Sequence, residues 1–164
     1  MLLAASGPGT TVYRLFLFLH IASAIVGFGS VTLNGLYAAK ALNRGGAEGA
    51  AISEANYEVG KIAELAIYAV FVFGLVTAIL GNNHGLKFSQ TWLSLAMLLY
   101  IVAIGLSHGI LIPTHRKLNE AMRSGDRAAI DPLFKRAGAV GGGLNLILAV
   151  ILFLMVFKPG GPKF

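Results

Sequence analysis

Long apolar runs interrupted by short polar stretches set the pattern of this chain. Leu15 to Ala39 and Ala137 to Phe157 carry no charged side chain. Ile62 to Leu80 carries one carboxylate, Glu64, and Trp92 to Ile112 carries one histidine, His108. An apolar helix of about 20 residues, rising 1.5 Å per residue, matches a hydrocarbon layer roughly 30 Å thick. The pattern therefore predicts four membrane-crossing helices, at about 13–40, 62–81, 91–113 and 136–158, in one transmembrane domain. Short connections favour antiparallel neighbours, so the expected architecture is all-α: an integral membrane four-helix bundle, up-down-up-down.

The connections carry signals of their own. Gly45, Gly46 and Gly49 place a loop over 41–60, with one or two helical turns at Ser53 to Glu58. Gly-Asn-Asn-His-Gly at 81–85 reads as a turn. Pro113 should kink or end the third span, and His115 to Arg123 can continue as an exposed helix to Ser124-Gly125. Asp131-Pro132 has the form of an N-cap followed by proline at the first helical position. His84 and His115 fall in connections and are expected to be solvated. The first apolar run is too long for a signal-peptide core and reads as a retained span.

Composition sharpens the membrane assignment. Of 164 residues, 56% are hydrophobic and only 12% charged, about half the charge of an ordinary soluble domain. There is no cysteine, which excludes thiolate catalysis, disulfides, iron–sulfur clusters and thiolate zinc sites. No catalytic constellation stands out, and no set of residues has metal-ligand spacing.

The net charge of +6 is distributed unevenly. Lys40, Arg44 and Lys61 bracket the first connection, and Arg116, Lys117, Arg123, Arg127, Lys135 and Arg136 fill the third. Only Arg14, Lys87, Lys158 and Lys163 lie at the other end. Basic residues in short loops mark the cytoplasmic side, so loops one and three are expected in the cytoplasm and both termini outside, in a cytoplasmic (inner) membrane. The basic clusters would lie against anionic lipid headgroups. They lack interleaved aromatics, so nucleic acid is not an expected partner.

Polar and small residues show which helix faces turn inward, because leucine and phenylalanine suit lipid and protein equally. On the first helix His20, Ser23, Gly27, Ser30, Asn34 and Tyr37 fall on one stripe. On the fourth, Gly138, Gly142, Asn145 and Ala149 do the same. Gly27, Gly138 and Gly142 are the expected helix-packing positions. Ionisable groups inside a span carry a default functional hypothesis because of their insertion cost. Counted from the inner ends, Glu64 lies ~3 Å deep, His108 ~6 Å, Asn34 ~8 Å and Asn145 ~12 Å. These four can form one buried polar cluster.

His20 belongs to the opposite leaflet, ~16 Å from His108 along the bundle axis, so one haem cannot take both histidines as axial ligands. Met97 lies level with His20. That pair is the one two-ligand arrangement for haem b that the spacing allows. The cofactor itself is not identified by the residues.

Leu19-His20, followed by small residues ending in Gly27-Phe28-Gly29, resembles the opening of the copper-resistance D-like and HemJ-like membrane proteins. Trp92 through Tyr100 to Pro113 and Arg116-Lys117 resembles the uncharacterised bacterial family of predicted integral membrane proteins DUF2269. The first resemblance implies a role for His20 in haem or metal handling. The second implies a membrane bundle and no particular activity. Three functions follow in order: an accessory subunit of a larger respiratory or photosynthetic membrane complex, with other membrane subunits as partners; a haem-associated or redox protein using His20 and Met97; and a small proton- or metal-coupled transporter using Asn34, Glu64, His108 and Asn145.

Overall fold

The computed structural model describes residues 7–82 and 86–161. They form α1 (Thr11–Arg44), α2 (Gly46–Gly81), α3 (Thr91–Leu106), a π turn (Ser107–Leu111), α4 (Ile112–Ser124) and α5 (Arg127–Phe157). The π turn joins α3 and α4 into one long rod, giving four helices long and apolar enough to cross a membrane. Their surfaces agree with that setting. Ile25, Leu65 and Leu146 are 70%, 71% and 68% exposed. Large aliphatic side chains that open on every rod are what lipid accepts and water penalises.

The helices are longer than the apolar runs. The expected loop over 41–60 does not exist, because α2 starts at Gly46 and a single residue, Gly45, separates it from α1. Gly45 and Gly46 both take positive φ, 64° and 50°, where a Cβ would be strained. Two further residues, Ala41 and Gly49, sharpen this corner. The Gly45 N–H closes on the Ala41 carbonyl. The α carbon of Gly49 sits so close to the Ala41 carbonyl that no side chain fits between them. After the corner, the alanine-rich segment Gly46–Ala55 favours helix over coil despite its glycines.

Contacts along the α1–α2 hairpin pair Phe16 with Phe73, His20 with Val70, Gly27 with Ile67 and Asn34 with Asn56. Falling numbers on one helix against rising ones on the other mean an antiparallel pair. The rod α3–α4 pairs with α2 in the same sense, through Tyr100 with Ile67, His108 with Glu64 and Arg123 with Glu54.

Pro113 does not end the rod; it sits in the first turn of α4, just after the π turn. Having no N–H, Pro113 cannot bond the Gly109 carbonyl, and its ring would crowd it. Widening the preceding turn relieves that crowding, and the Ile112 N–H reaches back five residues to Ser107. The α5 N-cap also differs from expectation. Asp126, not Asp131, caps the helix by accepting from the Ala129 N–H at 3.2 Å, and Pro132 lies inside it. Gly125, left-handed at φ 73°, closes α4 directly before Asp126, which fixes the earlier start.

The core lies mainly where α3 and α5 meet: Trp92, Ala96 and Tyr100 pack with Leu148, Ile151 and Leu154. A smaller cluster of Ala103, Leu111, Ala137 and Leu144 continues it beside the π turn.

Candidate functional site

Two cavities open along the bundle, and Tyr100 forms part of the wall of both. The larger, about 540 Å³, lies towards the end of the bundle where α1 begins and is lined by α1, α2, α3 and α5. That volume falls in the range of small-molecule and cofactor sites, and the lining is mostly aliphatic and aromatic. His20 and Met97 both face it.

The His20 ring is fixed by two features of α2. Its Nδ1 lies 2.8 Å from the Val70 carbonyl, so Nδ1 carries the proton and donates it. This leaves Nε2 as the nitrogen with a free lone pair, the arrangement used by histidines that ligate a metal. The ring also fits only because residue 74 is glycine. A Cβ there would lie 2.7 Å from His20 Cε1 and 2.8 Å from Nδ1. Phe71, next to Val70, stacks on Tyr100 with ring centroids 5.6 Å apart. The Tyr100 hydroxyl donates to the Ile67 carbonyl, pinning α3 to α2 between the two cavities.

Lys158 is one of the residues lining the large cavity. It is the sole non-glycine residue with positive φ among the described residues, at 43°, and its ammonium lies 5.9 Å from the centre of the Trp92 ring. Trp92 is buried, and its indole N–H has no hydrogen-bond partner among the described residues.

The smaller cavity, about 140 Å³, is bounded by polar groups near the hairpin end. Glu64 Oε1 lies 2.7 Å from His108 Nε2. The Tyr68 hydroxyl donates to the same carboxylate at 3.3 Å and also touches His108 Nε2. His108 Nδ1 donates to the Ile104 carbonyl at 3.1 Å. The π turn begins one residue before His108, so the histidine sits in the widened part of the rod.

Of the four residues expected in one cluster, Glu64 and His108 meet. Asn34 lines the same cavity, but it acts through its carbonyl, which accepts from Asn56 Nδ2 at 3.3 Å. Asn145 is elsewhere, accepting at 2.9 Å from Thr32 Oγ1 across the α1–α5 contact. His115 is not simply solvated; it is half-buried and lines the small cavity. His84 lies outside the described residues.

Gly27 is buried, and a Cβ on it would meet Ile67 at 3.0 Å. Gly138 and Gly142, in contrast, are exposed with nothing within 4 Å, while α5 turns Leu144, Leu148 and Ile151 inward. Leucine outcompetes glycine there because it fills the space between α3 and α5. Sequence reasoning missed Tyr100, Gly74 and Val70 as site residues. A glycine spaced to face His20 was the one available signal. A backbone carbonyl leaves none.

No curated protein and no solved structure matches this chain. A family model for predicted integral membrane proteins covers residues 14–159. The match does not extend to copper-resistance D-like or HemJ-like proteins, so nothing of theirs is carried over. By the extent of that match, the chain belongs to the family of predicted integral membrane proteins DUF2269.

Proposed function

We propose that this bundle binds a haem b-type cofactor in the large cavity, where His20, through Nε2, and Met97 are the residues that would hold its iron. The observation that carries the reading is the Nδ1 bond to Val70, which leaves the coordinating nitrogen free on the wall of an apolar cavity shared with Met97. An axial histidine whose other nitrogen is held by a carbonyl keeps one orientation and one tautomer. Aromatic and aliphatic walls suit a macrocycle, and the Lys158 ammonium on the same lining suits its carboxylates. Bound there, the group would supply one-electron chemistry within the membrane.

The test is an optical spectrum of protein purified with haem supplied. A Soret band is expected; His20→Ala should abolish it, and Met97→Leu should keep the band while altering its ligand-sensitive features. A protein that binds no haem, or a His20→Ala variant that binds it equally well, overturns the reading.

A second role fits the outer surface of α5. Gly138, Gly142 and Gly143 form an exposed face, with nothing among the described residues within 4 Å of where a Cβ would lie. Small residues on a membrane helix allow close approach of another helix, which supports service as an accessory subunit of a larger complex. Gly142→Leu should leave the isolated protein as stable as before and remove a co-purifying partner. The asymmetry of lysine and arginine supports a topology with the α1–α2 corner and the α4–α5 connection in the cytoplasm, against anionic headgroups, and both termini outside. Reporter tags at Gly125 and at either terminus test it.

A further inference from the structure

Two ionisable side chains on the wall of the small cavity, Glu64 and His108, bond to each other and to Tyr68, and the haem reading uses none of the three. Their hydrogen bonds fix how many protons they hold. The Ile104 carbonyl can only accept, so His108 Nδ1 must carry a hydrogen. Nε2 then faces the Glu64 oxygen at 2.7 Å, a distance at which two bare lone pairs repel. One proton has to lie between them, as imidazolium with carboxylate or as neutral imidazole with carboxylic acid. Either form is neutral overall, which suits an apolar bundle; losing the proton would leave a net negative charge there. The Tyr68 hydroxyl reaches both partners and can follow the proton from one to the other.

The surroundings supply a route. From the triad the cavity runs past Lys61 to Tyr57 and Asn56, towards the hairpin end of the bundle. On α2, Tyr57 and Lys61 face the cavity, with Lys61 itself paired to Glu58 at 2.7 Å. On α3 there is Tyr100, committed to the Ile67 carbonyl, and on α4 His115. To the same cavity, α1 contributes Val31 and Asn34, and α5 contributes Leu144 and Leu148, none of them ionisable.

We propose that Glu64, Tyr68 and His108 are a proton-binding site, exchanging its proton with water at the hairpin end of the bundle through this cavity. The site does not depend on a cofactor, so cofactor-free full-length protein in lipid nanodiscs serves for the test, and failure of the haem reading leaves it standing. Nitrogen-15 spectra of labelled histidine, assigned by His108→Asn, read the protonation of His108. Infrared spectra in water and deuterium oxide read the acid carbonyl of Glu64.

At neutral pH one of the two groups should carry a proton that exchanges with solvent. In Glu64→Gln the hydrogen shared between Glu64 and His108 Nε2 loses its carboxylate partner, so the His108 Nε2 nitrogen-15 signal should move from its wild-type position. Tyr68→Phe keeps the pair and should slow the exchange several-fold; it decides the matter if Glu64→Gln does not fold. The proposal is overturned if both groups are unprotonated, if His108 is unchanged in Glu64→Gln, or if the proton exchanges no faster than the surrounding amides and Tyr68→Phe has no effect.

Discussion

Replacing Gly74 by alanine adds one methyl group to α2 at the point where His20 crosses it. The new Cβ would lie 2.7 Å from Cε1 and 2.8 Å from Nδ1 of the ring. That is roughly 0.8 Å inside the favourable separation of two carbon atoms. The ring cannot slide aside freely, because its Nδ1 is held 2.8 Å from the Val70 carbonyl. Either the helices separate or the hydrogen bond breaks. Overpacking costs about 1–3 kcal/mol and a lost hydrogen bond about 0.5–1.5 kcal/mol, against a helix-propensity gain of up to ~1 kcal/mol. After the propensity gain is subtracted, a net loss of up to about 2 kcal/mol is expected.

Gly143→Ala provides the matched control. It is also mid-helix, but nothing lies within 4 Å of its Cβ position, so it should gain up to ~1 kcal/mol. Reversible unfolding of both variants in mixed detergent micelles measures the difference, and haem titration of the same samples reports whether His20 keeps its orientation. If Gly74→Ala is as stable as Gly143→Ala and binds haem as wild type does, the account of how His20 is held is wrong.

Three further outcomes are expected. Gly49→Ala should destabilise the α1–α2 hairpin by about 1–3 kcal/mol, since its Cβ meets the Ala41 carbonyl; thermal unfolding of the purified protein checks this. Asp126→Ala should cost ~1 kcal/mol through loss of the α5 cap, while Asp131→Ala should stay within ~0.5 kcal/mol, as measured in the same assay. Tyr100→Phe should cost about 0.5–1.5 kcal/mol and loosen both cavities at once, seen as faster amide exchange around Ile67.

The four rods were legible in the sequence because uninterrupted apolarity over a bilayer's width has few other uses. Their ends were not. Gly45-Gly46 with charged neighbours looks like the start of a long loop, yet the two glycines need only one corner, and the alanines after them resume helix at once. Asp131-Pro132 matched a capping pattern, but Gly125, ahead of it in the chain, had already stopped the previous helix. Glu64 and His108 could be brought together by counting depth, since rise per residue is fixed. Asn145 could not be placed the same way, because depth says nothing about which side of a helix a residue occupies. The anchor of His20 is a main-chain carbonyl, which any residue at position 70 would supply.

The wide turn at Ser107–Leu111 has a consequence for how this protein can change length. Removing one residue from an ordinary membrane helix rotates everything beyond it by about 100° and scrambles its contacts. A π turn holds one residue more than its α neighbours, so the same deletion here would tighten it to a regular turn and leave both flanks in phase. Trp92, Ala96, Leu118 and Ala121 would keep their places while His108 lost its seat beside Glu64. Position 107–111 is thus where a lineage could shed the ionisable pair in a single step and retain the scaffold.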